Sequence, residues 1–368
     1  MQNSVKPIRI YSDKQLSSQP YPALLQSIWG KQIEDPDDPL TGRFDCFNQE
    51  GSKYFVEACI DNCDFGILPF DYGLVIDNRV SSDNIWNFVD KLHQHGKKTL
   101  VFCWHDRDPY LRDDRIIIFQ TAFDPKNRRN CSQLKQKINI LPCFTEDFVE
   151  RYCDSVVPVR GWKSIPVVGF CGRADNAIET PFVAFRSWLR RIKFQHQNGY
   201  QNYPYRQLRT RCINIIQKDN NVRANFDVKG GFYGRSVDSS KTVGASEKKA
   251  ARSGYVQNMK SSDYILCVRG AGNFSIRFYE TLSLGRIPVY IDTGAPLPFE
   301  RKIDWDRYLV RVFPKSIKKL PDKIISFHNL YRGAAFVKIQ ENIRQIWLDF
   351  FEPGAFFRQL SYFLRHSL

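Results

Sequence analysis

The sequence predicts an α/β protein of two domains, on three observations: its length, two successive series of strand-sized apolar runs alternating with helix-patterned stretches, and a glycine turn joining a strand to a helix in the second series. The chain has 368 residues, which at roughly 150 per domain gives two, each large enough for its own core. Hydrophobic residues make up 42% and aromatics 14%, with charges mixed throughout, which excludes a disordered or low-complexity chain. The longest apolar runs, Ile116–Phe119 and Ile165–Cys171, fall far short of the roughly 20 residues of a spanning helix. Met1–Asp13 lacks the charged-then-apolar layout of a signal peptide, so the expected location is cytoplasmic.

In the first series, Asp64–Pro69 reads as a strand. Asp83–His95 follows as a helix, because Ile85, Phe88, Val89 and Leu92 recur at helical spacing, and Thr99–Trp104 and Arg115–Phe119 are further strands. The second series opens with Ile165–Cys171, a run suited to a strand buried on both faces. Thr180-Pro181 then supplies an N-cap and first-turn proline for a helix reaching about Lys193. From Gln195 to Lys249 the chain is polar and loop-like, with Ser236–Ser246 expected to be mobile. Ser253–Lys260 reads as a helix, Tyr264–Val268 as a strand, Phe274–Leu284 as a helix stopped by Gly285, and Ile287–Ile291 as the next strand, which is a βαβ unit. Two apolar helical stretches, Ala334–Phe351 and Ala355–Leu364, flank Pro353-Gly354.

Ten cysteines are spread over both halves. Cys59 and Cys63 have no second pair nearby, and Cys103, Cys171 and Cys267 lie in apolar runs, so buried reduced thiols are expected and no structural metal. Lys and Arg number 54 against 39 Asp and Glu, a net charge of +15. That surplus suits an enzyme of phosphorylated small molecules, a protein peripheral to an anionic membrane, or a non-catalytic polyanion or nucleic-acid binder. It comes in short clusters, with no zinc-finger, RRM or basic-zipper pattern, so nucleic acid is not the expected partner.

The glycine turn carries the most chemical information. Gly270 and Gly272 let the backbone turn tightly and admit a bulky anion, toward which the N–H groups of the following helix point. A tight structural turn alone also uses such a pair. Arg269 at the strand end and Arg277 in the helix could both neutralise a diphosphate, while Glu280, three residues on from Arg277, could accept hydrogen bonds from ribose hydroxyls or simply pair with Arg277. A polyanion binder would gain nothing from that carboxylate.

The run from Tyr255 through Met259, Ser262, Tyr264 and Leu266 to Arg269-Gly270-Ala271-Gly272-Asn273, then Ser275, Arg277, Glu280-Thr281-Leu282 and Gly285-Arg286-Ile287-Pro288-Val289, resembles the exostosin family of glycosyltransferases. Leu297-Pro298-Phe299 and Ile303-Asp304-Trp305 continue the likeness, which covers Tyr255–Trp305 in detail and reaches loosely to Val167–Arg173 and Asp64–Phe70. Val268 stands where the family often has proline, and the membrane anchor that animal members carry is not expected here. The resemblance implies a GT-B fold of two Rossmann-like α/β domains facing a cleft: an acceptor-binding domain over 1–160, completed by a C-terminal helix over 355–368 crossing back to it, and a nucleotide-sugar domain over 161–352. It implies inverting transfer from a nucleoside-diphosphate sugar to a glycan or lipid-linked saccharide. The donor site it implies comprises Arg173, Arg269, Gly270, Gly272, Asn273, Ser275, Arg277 and Glu280.

Such a transfer needs a base for the acceptor hydroxyl and positive charge for the departing diphosphate. The arginines and helix N-terminus meet the second need, and Asp106-Arg107-Asp108 lies in the acceptor half, so no cofactor or essential metal is expected. For the base, Asp106 ranks first and His105 second, because a buried strand aims them at the cleft. Asp71, Asp108 and Asp175 follow.

Overall fold

In the structure, a computed structural model describing residues 6–111, 113–124, 139–174, 205–229 and 244–367, short apolar runs pair as two all-parallel sheets. The first contains β1 (Ile8–Tyr11), β2 (Phe55–Glu57), β3 (Phe65–Ile67), β4 (Lys98–Cys103), β5 (Ile116–Gln120) and β6 (Asn139–Ile140), in the order β2-β1-β3-β4-β5-β6. The expected strands form its middle and the expected helix spans Asp83–Gln94, burying Ile85, Phe88, Val89 and Leu92. Strand β1, however, comes from the Met1–Asp13 stretch, in which the sequence pattern predicts no strand. Only four residues alternate there: Ile8 and Ile10 are buried, while Arg9 is exposed and pairs with Asp64 at 2.7 Å.

The second sheet contains β7 (Val167–Arg173), β8 (Arg223–Lys229), β9 (Tyr264–Cys267), β10 (Ile287–Ile291) and β11 (Val310–Val312), in the order β11-β10-β9-β7-β8. Its βαβ unit follows the sequence pattern, with the helix over Ile276–Ser283. The stretch expected as loop after Gln195 holds instead a helix, Tyr205–Gln217, and strand β8. Leu208, Cys212, Ile213 and Ile216 are buried along one face of that helix, a stripe masked by Arg209, Thr210, Arg211 and Asn214 between them. The helix expected over Ser253–Lys260 begins eight residues earlier, at Ala245. The helix expected after Thr180, Asp175, and residues 236–243 of the expected mobile segment lie outside the described residues.

Helix Phe148–Tyr152 already packs into the core of the second sheet, ahead of the expected division at 160/161. At the other end, helix Ala334–Phe350 lies on the second core through Phe336, Ile339, Ile343 and Trp347, and helix Pro353–Arg365 lies on the first through Phe356, Phe357, Leu360 and Leu364. The crossing is made at Glu352, whose carboxylate accepts from Ala355 N at 2.7 Å. Pro353-Gly354 is therefore the first turn of the last helix rather than a spacer, since proline at that position loses no helical hydrogen bond. Phe357 stacks on Phe47 at 4.1 Å. Nine cysteines are described, all free, seven of them buried. Among the described residues no helix is long and apolar enough to cross a membrane.

Because Leu360 is 3% exposed within the first core, Leu360→Ala should cost about 2–5 kcal/mol of unfolding free energy in urea titration. A loss under about 0.5 kcal/mol would mean that the last helix is not docked there.

Candidate active site

The carboxyl ends of the two sheets meet at the glycine turn. Asp106, just past β4, accepts from Gly272 N through Oδ1 at 3.1 Å, and Asn273 Nδ2 donates to the Phe123 carbonyl, past β5, at 3.0 Å. A Cβ at Gly272 would lie 2.7 Å from Asp106 Oδ1 and 2.4 Å from the Phe274 ring, so only glycine admits this approach. Asn273 is buried and its Oδ1 also accepts from Thr293. The residue thus ties the two sheets together. Arg269 folds back on its own turn, donating to the Gly270 and Ala271 carbonyls at 3.3 and 2.8 Å. Ser275 caps the following helix with no side-chain capping bond.

Arg277 reaches from this helix to the end of β7. Its guanidinium carbon lies 4.4 Å from the centre of the Phe170 ring and 5.7 Å from that of Tyr255, and Nη2 donates to the Cys171 carbonyl at 2.6 Å. Gly172 makes room: its φ is +148°, and a Cβ there would lie 2.7 Å from Arg277 Nη2. Beside it stands Arg209, from the helix missing in the sequence reading, donating to the Arg173 and Val268 carbonyls at 3.1 and 3.4 Å. Its Nη2 is 4.0 Å from where a Cβ on Gly270 would be. Burial, with the neighbouring Arg277 charge, pushes the Arg209 pKa down to about 10. The Nε atoms of both arginines are buried without a hydrogen-bond partner among the described residues. Neither guanidinium has an ion pair among the described residues.

Glu280 does not supply one. It is 3% exposed, its Oε1 paired with Arg252 at 2.9 Å and its Oε2 accepting from Tyr255. Arg252 in turn pairs with Glu146 at 2.6 Å, and Glu146 also meets Arg151 and, at 3.0 Å, the Tyr152 hydroxyl. The expectation that Glu280 presents itself to a ribose, or pairs with Arg277, gives way to a buried chain Glu146–Arg252–Glu280 that holds Tyr255 against Arg277.

His105 is 17% exposed at its side chain and has both ring nitrogens engaged. Nδ1 accepts from Arg107 N at 2.9 Å, which leaves Nε2 to donate to Asp77 at 3.2 Å. That tautomer has no lone pair free for an acceptor proton. Asp108 accepts from Tyr110 N, Gln120 and Asp124 N and shapes its loop. Asp71 accepts from Gly73 N at 2.7 Å and Trp104 N at 2.9 Å, and burial raises its pKa above the usual carboxylate value. Asp106 is exposed at the junction, and its Oδ2 has no partner among the described residues. Arg173 contributes its carbonyl to Arg209. Among the described residues no group of three or more His, Cys, Asp and Glu could hold a metal ion.

Sequence reasoning missed Arg209, Arg252 and Glu146. Arg209 stands four residues after Tyr205, over whose ring its guanidinium lies at 5.4 Å, and Arg252 three before Tyr255, spacings that place each pair on one helical face. Without the buried stripes of those helices, the arginines read as solvated.

Residues 194–326 match the model of the Exostosin GT47 domain, a glycosyltransferase domain whose span includes Arg209, Arg252, the glycine turn and Glu280. The chain is also similar to Exostosin-1 of Drosophila melanogaster, with 35% identity over 72 residues, which are 20% of this chain and 10% of that protein. The matched stretch thus spans about a tenth of the relative's length. The two parallel sheets and the crossing helix agree with a two-domain GT-B type α/β fold.

Removing the cation of the buried chain should be expensive. Arg252→Met leaves Glu280 without a counterion at 3% exposure and should destabilise the protein by about 3–5 kcal/mol in chemical denaturation. Adding Glu280→Gln should recover part of the loss, whereas strictly additive losses would show that the two do not interact.

Proposed function

From the exostosin GT47 domain over residues 194–326, we propose that the protein transfers a sugar, with inversion, from a nucleoside-diphosphate sugar to a hydroxyl of a saccharide acceptor. One observation carries this reading: Arg209 and Arg277 converge beside the glycine turn without a carboxylate of their own, because Glu280 and Glu146 are already neutralised by Arg252. Two adjacent, part-buried guanidiniums repel each other, and a diphosphate relieves the repulsion while supplying acceptors for their free N–H groups. The first turn of helix Ile276–Ser283, which follows the glycine turn, adds backbone N–H groups for the same anion.

In the transfer, Asp106 takes the proton of the acceptor hydroxyl as its oxygen attacks the anomeric carbon. The bond from that carbon to the diphosphate breaks, and its electron pair leaves on the phosphate oxygen, where Arg209 and Arg277 stabilise the added charge. The contact of Asp106 with Gly272 N sets the carboxylate at the edge of the donor turn. Charge stabilisation then comes from the arginines, and the reaction requires no divalent ion.

Arg209→Ala and Arg277→Ala should each lose about 1.5–3 kcal/mol of charge-assisted binding, one to two decades in UDP or GDP affinity by calorimetry. Folded variants with unchanged affinity would remove the donor site from this place. Asp106→Asn should cut turnover by roughly 10²–10⁴-fold in an assay containing EDTA, with donor affinity near wild type. Wild-type turnover in that variant would place the base elsewhere.

A further inference from the structure

A cavity of about 490 Å³ opens at the carboxyl end of the first sheet, walled by the loops after β3 and β4, by residues 32–43 and by Phe357 of the crossing helix. That volume lies within the range of small-molecule sites, about 300–1,000 Å³. Its charge is opposite to that of the molecule. Five carboxylates line it, Glu34, Asp35, Asp38, Asp71 and Asp77, against the guanidiniums of Arg43 and Arg79, in a chain of net charge +15. A phosphate, sulfate or uronate entering the cavity would meet net repulsion.

The wall also offers what a polyol needs. Trp104 is half-buried, with the Arg43 guanidinium carbon 5.9 Å from its ring centre and its indole N–H without a partner among the described residues. The Tyr21 hydroxyl is engaged by the Gly30 carbonyl at 2.9 Å, which leaves its ring to serve as an apolar surface. Asp71, fixed by the N–H groups of Gly73 and Trp104, retains lone pairs for hydroxyl donors. Rigid aromatic faces beside oriented carboxylates suit the alternating C–H and O–H surface of a sugar ring. Trp104 and His105 of this wall are followed in the chain by Asp106, whose carboxylate accepts from Gly272 N at 3.1 Å.

We propose that this cavity seats an uncharged saccharide acceptor, one or two rings packed on Trp104 and Tyr21 with hydroxyls bound to Asp71, so that the next hydroxyl reaches Asp106. The proposal rests on the glycosyl-transfer reading and narrows it, excluding uronic-acid sugars and prenyl phosphates from this cavity.

The test is calorimetric titration of the full chain with xylobiose, cellobiose and lactose, and separately with cellobiouronic acid and farnesyl phosphate, following tryptophan fluorescence in parallel. At least one neutral disaccharide should bind and perturb the fluorescence. Its affinity should fall tenfold or more in Asp71→Asn and in Trp104→Leu, with UDP and GDP affinity within twofold of wild type. Thermal melting checks that each variant is folded, and Asp77→Asn replaces any that is not. Absence of binding by all three neutral disaccharides, tighter binding of either anionic ligand, or neutral binding indifferent to these substitutions would overturn the proposal. Nucleotide binding without saccharide binding would refute the cavity alone. Saccharide binding without nucleotide binding would refute the donor site and leave the cavity standing.

Discussion

The arrangement depends on a charge imbalance built into the carboxyl end of the second sheet. Arg252 lies between two buried carboxylates, Glu146 and Glu280, and a carboxylate in such surroundings persists only when paired. Once that pairing is made, the nearby Arg277 and Arg209 have no ion pair of their own among the described residues and donate to backbone carbonyls beside aromatic rings. Under the proposed function, that charge receives the donor diphosphate. The side chain that sequence spacing offered as a ligand for ribose, Glu280, instead keeps Tyr255 and Arg252 in place beneath the anion site.

The two sheets contribute opposite fields to one junction. The second presents guanidiniums at a glycine turn, while the first presents a cavity rich in carboxylates and aromatic rings. Asp106 and Gly272 join them at 3.1 Å, and Asn273 ties the same turn to the Phe123 carbonyl. Under the proposed function, a dianionic donor lies on one side and a neutral polyol on the other, with the Asp106 carboxylate between the two. The crossing helix Pro353–Arg365 lends Phe357 to both the first core and the cavity wall, so the docking that joins the halves also shapes the site.

How much of this was legible in the sequence follows from burial. The βαβ unit around the glycine turn was readable because β9 and β10 are buried on both faces and present uninterrupted apolar runs, and its helix ends at glycine. Strand β1 was not, because four alternating residues in a polar context carry little periodic signal. Helix Tyr205–Gln217 was hidden by its own polar residues, and with it Arg209. The roles of Arg277 and Glu280 were only half visible. Spacing placed them on one helix, but their partners, Cys171 and Arg252, come from other elements and no local pattern announces them.

The central claim, that Arg209 and Arg277 form an anion site left open by the buried pairing of Glu280, is tested most directly by a crystal structure of the protein grown with UDP or GDP. The account predicts phosphate oxygens within about 2.7–3.2 Å of both guanidiniums, with the Arg252–Glu280 pair intact. A diphosphate bound elsewhere, or Glu280 turned from Arg252 to neutralise Arg277, would contradict it.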